Sequence, residues 1–179
     1  INMVAHQGAA AFKRISSIID KKIEIVNNIE NPNLNLIKSN ISFENVGFKY
    51  NSTNEKAIKN ISFEITGNTM AAFVGHSGAG KSTIMNLLPR FYDPQEGKIK
   101  IDDQNIKDVS LSSLRKNLSM VSQDVILFDD TIKNNIAYAR DNASDSEIEN
   151  ACKFAAANEF IEKLPKGYDT LIGENGIRL

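Results

Sequence analysis

Gly75-His76-Ser77-Gly78-Ala79-Gly80-Lys81-Ser82 is the stretch on which the reading of this chain turns. It satisfies G-x-x-x-x-G-K-[ST] at every fixed position, with the apolar run 70–74 leading in and a helix-compatible stretch, 81–91, leading out. Glycines let a backbone curl closely around phosphate oxygens, so that successive N–H groups converge on an anion. The following helix adds the partial positive charge of its N-terminus. Lys81 is expected to reach the β- and γ-phosphates and the Ser82 hydroxyl to ligate Mg²⁺. Gly75, Ser77, Gly78, Ala79, Gly80, Lys81, Ser82 and Thr83 are therefore the candidate phosphate-site residues. A glycine-rich turn with an incidental Lys-Ser is the alternative, and the strand-like and helix-like flanks argue against it. The loop does not by itself choose among kinases, GTPases and transport ATPases.

The 179 residues are 41% hydrophobic and 24% charged, a globular composition long enough to bury a core. The 21 basic and 22 acidic side chains leave no broad basic field to recruit nucleic acid. A lone cysteine, Cys152, cannot form an internal bridge, which favours a reducing compartment, and its helical setting suits a packed small hydrophobe. No run approaches the ~18 apolar residues of a membrane span.

Val4, Phe12, Ile15, Ile18 and Ile19 recur at helical spacing at the start, with Lys21 and Lys22 where a helix C-terminus favours cations. Two readings stand: a surface helix packed on its own domain, or the tail of a longer helix. Residues 27–40, rich in Asn around Pro32, read as a linker. The period then changes to two. Ile41, Phe43 and Asn45 alternate with Ser42, Glu44 and Val46, Phe48 and Tyr50 continue the pattern, and Ile61, Phe63 and Ile65 repeat it. These predict two half-buried antiparallel strands. The run 70–74 predicts a strand buried on both faces, and 98–101 and 118–121 predict two short ones. Helices are expected over about 131–139, 145–157 and 159–164, with Ser144 and Glu147 at capping-box spacing.

The surroundings of the loop narrow the choice. Val46-Gly47-Phe48-Lys49-Tyr50 precedes it, and Arg90-Phe91-Tyr92-Asp93-Pro94 and Glu96-Gly97 follow. Then come Ser113-Leu114-Arg115, Val121-Ser122-Gln123, Leu127-Phe128, Thr131-Ile132, Asn135-Ile136-Ala137 and Ile172-Gly173-Glu174-Asn175-Gly176. In this order the series resembles the nucleotide-binding domain of an ABC exporter, most of all bacterial half-transporters of the lipid-flippase and multidrug type. The resemblance covers essentially the whole chain.

It implies an α/β fold: a P-loop NTPase (RecA-like) core with an antiparallel β subdomain and the start of a helical subdomain, incomplete in this chain. The implied organisation is a linker helix from a membrane domain over 1–26, a linker over 27–40, the ATP-binding core with its β subdomain over 41–124 and a partial helical subdomain over 125–179. Tyr50, which read alone is a strand aromatic serving the core, matches the aromatic that stacks on adenine. Gln123, read alone a solvated turn residue, matches the glutamine that contacts Mg²⁺ and the attacking water. With Lys81 it is the candidate catalytic pair, and with Ser82 the candidate metal pair. The segment from Asp124 to Ile136, together with Glu174, would face the coupling helices of the membrane domains. The implied ligands are ATP and Mg²⁺, and the implied partner is a second nucleotide-binding domain, in a homodimer, with no nucleic acid. The implied place is the cytoplasmic face of the cell inner membrane.

Two acidic runs imitate a metal site. Val125-Ile126-Leu127-Phe128-Asp129-Asp130 looks like a strand presenting a Mg²⁺ carboxylate, but its place in the series suits packing or docking. Ile99-Lys100-Ile101-Asp102-Asp103 has the alternation of a half-exposed strand, and Asp103 stands where the family pattern carries glycine. The family's signature motif, catalytic glutamate and switch histidine do not occur; His6 and His76 match none of them. The expectation is therefore an ABC-type ATPase in a longer parent, coupling ATP hydrolysis to transport of a lipid or other hydrophobic substrate, with the 179 residues alone not competent for hydrolysis. The alternative is a soluble P-loop ATP-binding module or a catalytically silent sensor. A GTPase would carry Asn-Lys-x-Asp, which the chain lacks.

Overall fold

Strand β1 (Ile41–Phe48) lies between β2 (Ile58–Ile65) and β3 (Glu96–Ile101), and β3 pairs in turn with the short β4 (Gln104–Asn105). Every pairing is antiparallel. The computed structural model describes residues 2–21, 25–123, 125–140 and 142–173. They form two compact units, Ile1–Ser119 and Met120–Leu179.

The two strands predicted from the period-two pattern form, but β1 does not keep one phase. Its register slips between Phe43 and Val46 against β2, and between Glu44 and Gly47 against β3. Asn45 sits at the slip with φ 49°, a conformation asparagine tolerates better than most residues. Ser62 holds it there: its hydroxyl accepts from the Asn45 N–H at 2.8 Å and donates to the Asn45 side-chain carbonyl at 3.2 Å. An extra residue in a strand flips every later side chain to the other face. The expected grouping of Asn45 with Ile41 and Phe43 is therefore corrected: Asn45 is exposed, whereas Val46 and Phe48 are buried with Phe43. Phe43 stacks on its cross-strand partner Phe63 at 4.5 Å.

Two other predicted strands do not form. Residues 70–74 and 118–121 are irregular, and Met70, Val74 and Val121 are 99%, 90% and 93% exposed. A strand buried on both faces needs ladder partners for its backbone, and among the described residues neither segment has any.

Helix α1 (Asn2–Ile19) follows the predicted spacing, and Phe12, Ile15, Ile18 and Ile19 on it are exposed. Helix α2 (Lys81–Leu87) is shorter than the predicted 81–91. Pro89 has no N–H with which to continue the helical ladder, and Arg90 turns left-handed at φ 56°. Arg90 N–H then bonds Leu87 C=O, and Phe91 N–H bonds Asn86 C=O, the pair of bonds of a Schellman end. Arginine occupies a conformation that favours glycine because its buried guanidinium is held at two points by Asp93, at 2.8 and 3.2 Å. Helix α3 (Leu111–Lys116) buries Leu111 and Leu114 against the same core as β1 and α2, and its Arg115 donates to the carbonyls of Pro89 and Arg90.

The asparagine-rich stretch before β1 is laid on this unit by its side chains. Asn27 accepts from Leu111 N–H, Asn31 donates to the carbonyls of Lys107 and Val109, and Leu34 enters the core. At its end, the Asp102 carboxylate accepts four backbone N–H bonds, from Ile37, Lys38, Ser39 and Asn40, at 2.7–3.0 Å. Those donors favour the charged form.

In the second unit, α4 (Ile132–Ala137), α5 (Asp145–Phe154), α6 (Asn158–Ile161) and a 3₁₀ turn (Gly167–Asp169) surround Ile132, Ile148, Cys152, Ile161 and Ile172. The capping box at Ser144 and Glu147 forms as its spacing predicts. Cys152 is buried here as a small hydrophobe.

The Asp102 clamp makes a pH prediction. Its backbone donors, Ile37 N–H foremost, lower the pKa from 3.8 to about 2. A depressed folded pKa contributes stability above the ordinary value, and that contribution is lost as pH falls through the folded one. The amide resonances of Ile37 to Asn40 are therefore expected to hold steady from neutrality to about pH 4 and to move together with a midpoint near 2. A shared midpoint at 3.8 would contradict the clamp.

Candidate functional site

The first turn of α2 is left open. Helices α3, α4 and α5 each begin on a Ser or Thr whose side chain accepts a first-turn N–H: Ser110, Thr131 and Ser144. Helix α2 begins on Gly80 with no side-chain cap, so its leading N–H groups keep their capacity for an outside acceptor. Gly80 is left-handed, at φ 85°. A Cβ there would lie 2.7 Å from Ile58 Cδ1 and 2.8 Å from the Ala57 carbonyl oxygen. Conformation and space both require glycine, which seats the loop directly on the start of β2.

Residues 75–79 and Ser82 are exposed. Lys81 Nζ folds back and donates to the carbonyls of Gly75 and His76, at 2.9 and 2.8 Å. Its cation is thus held at the mouth of the loop by two neutral dipoles, which an anion would outcompete. His76 Nδ1 donates to the Ser77 carbonyl at 2.8 Å, a contact within the loop.

Tyr50 meets the same turn from the sheet. It lies just past the end of β1, and its hydroxyl donates to Thr83 Oγ1 at 3.2 Å. Thr83 is 6% exposed and stands two residues after Lys81. The Tyr50 ring makes near-perpendicular contacts with Phe48 at 4.7 Å and with Tyr92 at 5.1 Å. Beside these rings opens a groove of about 580 Å³, lined among others by Tyr50, Phe91, Tyr92, Asp93 and Lys21. That volume is in the range of small-ligand sites.

The structure thus brings Tyr50, Thr83, Lys81, Ser82 and the glycine loop together. Gln123 lies in the second unit, exposed in a bend. Asp124 and Glu174 lie outside the described residues. Among the described residues no group of three or more His, Cys, Asp or Glu side chains is placed to hold a metal. The exposed Ser82 hydroxyl is a hard oxygen donor, suited to Mg²⁺, which takes few protein ligands and completes its shell with phosphate and water.

Both acidic runs have structural occupations. Asp102 clamps the backbone before β1, and Asp130 accepts from Thr131 N–H and Asn134 Nδ2 at the start of α4. The run 125–130 forms no strand. What sequence reasoning missed is the aromatic frame around Tyr50. Phe48 and Tyr92 flank the loop in sequence at 48 and 92, but nothing in their spacing says that their rings meet. The Arg90–Asp93 pair, three residues apart, was the available signal that this turn is rigid.

The family model described as "ABC transporter" matches residues 58–176. Among curated relatives, the "ATP-dependent lipid A-core flippase" of Haemophilus influenzae (strain 86-028NP) is 48% identical over 180 residues, all of this chain and 30% of its own length. The "ATM1-type heavy metal exporter" of Novosphingobium aromaticivorans is 46% identical over 173 residues, 97% of this chain and 28% of its own. A solved structure described as "Structure of a bacterial Atm1-family ABC exporter with ATP bound" superposes with a TM-score of 0.87 at 45% identity, covering 97% of this chain and 30% of that one. The chain therefore spans about 30% of the length of the relatives it matches.

Two glycines of the loop separate strain from space. Gly78 is left-handed but has nothing within 4 Å of an added Cβ, whereas Gly80 has both strain and a clash. Gly78→Ala is expected to cost ~1–2 kcal/mol, the strain alone, and Gly80→Ala more. Equal denaturation midpoints for the two variants would contradict this account of Gly80.

Proposed function

The chain belongs to the ABC transporter family, and from that premise we propose that it is the ATP-binding part of an ATP-driven exporter that moves a lipid or other hydrophobic molecule across a membrane. The observation that carries this reading is the Tyr50–Thr83 hydrogen bond. It ties an aromatic able to stack on a base to the turn that carries the phosphate-binding lysine and serine. The recurrence of lipid A-core flippases among the relatives supports lipid as the cargo class.

In this reading the groove beside Tyr50 receives the adenine, and the N–H groups of the loop and of the open first turn of α2 receive the phosphates. Lys81 leaves the carbonyls of Gly75 and His76 for the β- and γ-phosphates, exchanging neutral acceptors for charged ones. Thr83 takes part from the same turn. Ser82 and Gln123 would hold Mg²⁺, which would supply neutralising charge to the phosphates, and Gln123 would also position the attacking water. Positioning and charge stabilisation account for most of such catalysis, and this chain contributes the phosphate cradle, the base stack and those two side chains.

The same reading assigns 1–26 to a linker helix from a membrane domain, 27–40 to a linker, 41–124 to the ATP-binding core with its β subdomain and 125–179 to part of a helical subdomain. The segment 124–136 and Glu174 dock coupling helices of the membrane domains. In support, Val125, Ile126 and Phe128 are exposed apolar residues of that segment. A second nucleotide-binding domain completes a homodimer at the cytoplasmic face of the inner membrane. No helix among the described residues is long and apolar enough to cross a membrane, so in this reading the crossing belongs to membrane domains elsewhere in the parent protein.

Lys81→Ala removes the side-chain cation held at the loop mouth. Charge-assisted hydrogen bonds contribute ~1.5–3 kcal/mol, so the variant is expected to bind ATP about 10- to 100-fold more weakly in calorimetric titration of the intact protein. Unchanged ATP affinity would remove Lys81 from the site and overturn the reading.

A further inference from the structure

The hydrogen bond from Tyr50 to Thr83 leaves one freedom open. It attaches at the para position of the ring, close to the axis about which the ring turns, so it fixes where the ring is and not how its plane lies. The torsion involved, χ2 of a tyrosine, is broad and not held by a steep staggered well. Stacking on a base depends on the plane. Something else must set it.

Two rings do so. Phe48, buried in the core, meets Tyr50 at 86°, and Tyr92 meets it at 87°. Tyr92 also contacts Phe48, at 5.5 Å, so the three rings brace one another. Tyr92 is itself carried on a stiff turn. It lies between Arg90 and Asp93, whose side chains pair at two points, and Arg115 holds the carbonyls of Pro89 and Arg90. The same turn grips the backbone next to Tyr50: the Gln95 amide accepts from Lys49 N–H at 2.8 Å and donates to Lys49 C=O at 3.0 Å.

We propose that Tyr92 is a positioning residue for base recognition, holding the plane of the Tyr50 ring so that one face is presented to an incoming purine. The inference rests on the reading of Tyr50 as the base stack. Tyr92 acts through Tyr50 and through the ring, not through its hydroxyl. It is 38% exposed, so replacing it leaves the buried core in place. Phe48 shares the task but belongs to that core, which leaves Tyr92 as the adjustable member of the frame.

The test compares Mg-ATP with Mg-tripolyphosphate, a probe that keeps the phosphates and lacks the base, by calorimetric titration of the intact protein. An edge-to-face aromatic contact is worth enough to change affinity by about two- to tenfold. Tyr92→Leu is expected to weaken ATP by that factor and leave tripolyphosphate unchanged, and Tyr92→Phe is expected to restore ATP affinity. If Tyr92→Leu weakens both probes alike, or neither, or if Tyr92→Phe fails to restore ATP, the proposal is overturned. Tyr50→Leu separates this outcome from failure of the underlying reading. If Tyr50→Leu lowers the ratio of ATP to tripolyphosphate affinity while Tyr92→Leu does not, the base stack stands and the proposal for Tyr92 falls. If Tyr50→Leu leaves the ratio unchanged, the base stack falls and takes the proposal with it.

Discussion

One extra residue in β1 governs the arrangement around it. Before Asn45 the inward side chain of the strand is odd-numbered, Phe43; after it the inward side chains are even-numbered, Val46 and Phe48. Without the bulge Phe48 would face away from the core, and Tyr50, two residues on and in phase with it, would turn from α2. The Ser62 hydroxyl, bonded to both the backbone and the side chain of Asn45, is therefore a remote support of the site. A local backbone irregularity in a central strand decides which aromatic reaches the glycine loop.

Helix α2 is the element on which these constraints meet, and its two ends are treated in opposite ways. Its start is uncapped, glycine-led and open to solvent. Its end is closed by a Schellman turn with a left-handed arginine, an ion pair at two points and two hydrogen bonds from Arg115. A short helix gains little from its own propensity, so packing at Leu87 and the tied C-terminal end hold it while the N-terminal N–H groups stay available. The strain at Arg90 is placed where several partners offset it, and the same turn carries Tyr92 and Gln95 towards Tyr50. Tyr50 and the glycine loop are thus braced through one helix.

Much of this was legible in the residues. The octapeptide announces its loop because glycine, lysine and serine at fixed spacing have few other uses, and the Ser144–Glu147 capping box forms where its spacing says. The hairpin of β1 and β2 follows from alternation. The failures have physical causes. Apolar continuity at 70–74 and 118–121 says that a segment would be buried as a strand, but a strand exists only through its neighbours, and among the described residues neither run has one. Asn45 shifted phase because periodicity cannot see a bulge. The asparagines of 27–40 read as turn formers, but the amides of Asn27 and Asn31 bond across 76 to 84 positions of sequence, to Leu111, Lys107 and Val109. Tyr92 stayed hidden for the same reason: ring contacts between segments leave no mark on spacing.

The account stands on base and phosphates being received together at the first turn of α2. A crystal structure of the intact protein with Mg²⁺ and a non-hydrolysable ATP analogue tests that most directly. The expected result is a purine lying on the Tyr50 ring, with Lys81 Nζ moved from the carbonyls of Gly75 and His76 onto the phosphates. A nucleotide whose phosphates sit in the loop while Tyr50 touches no part of the base, or one bound with Lys81 still on those carbonyls, would contradict it.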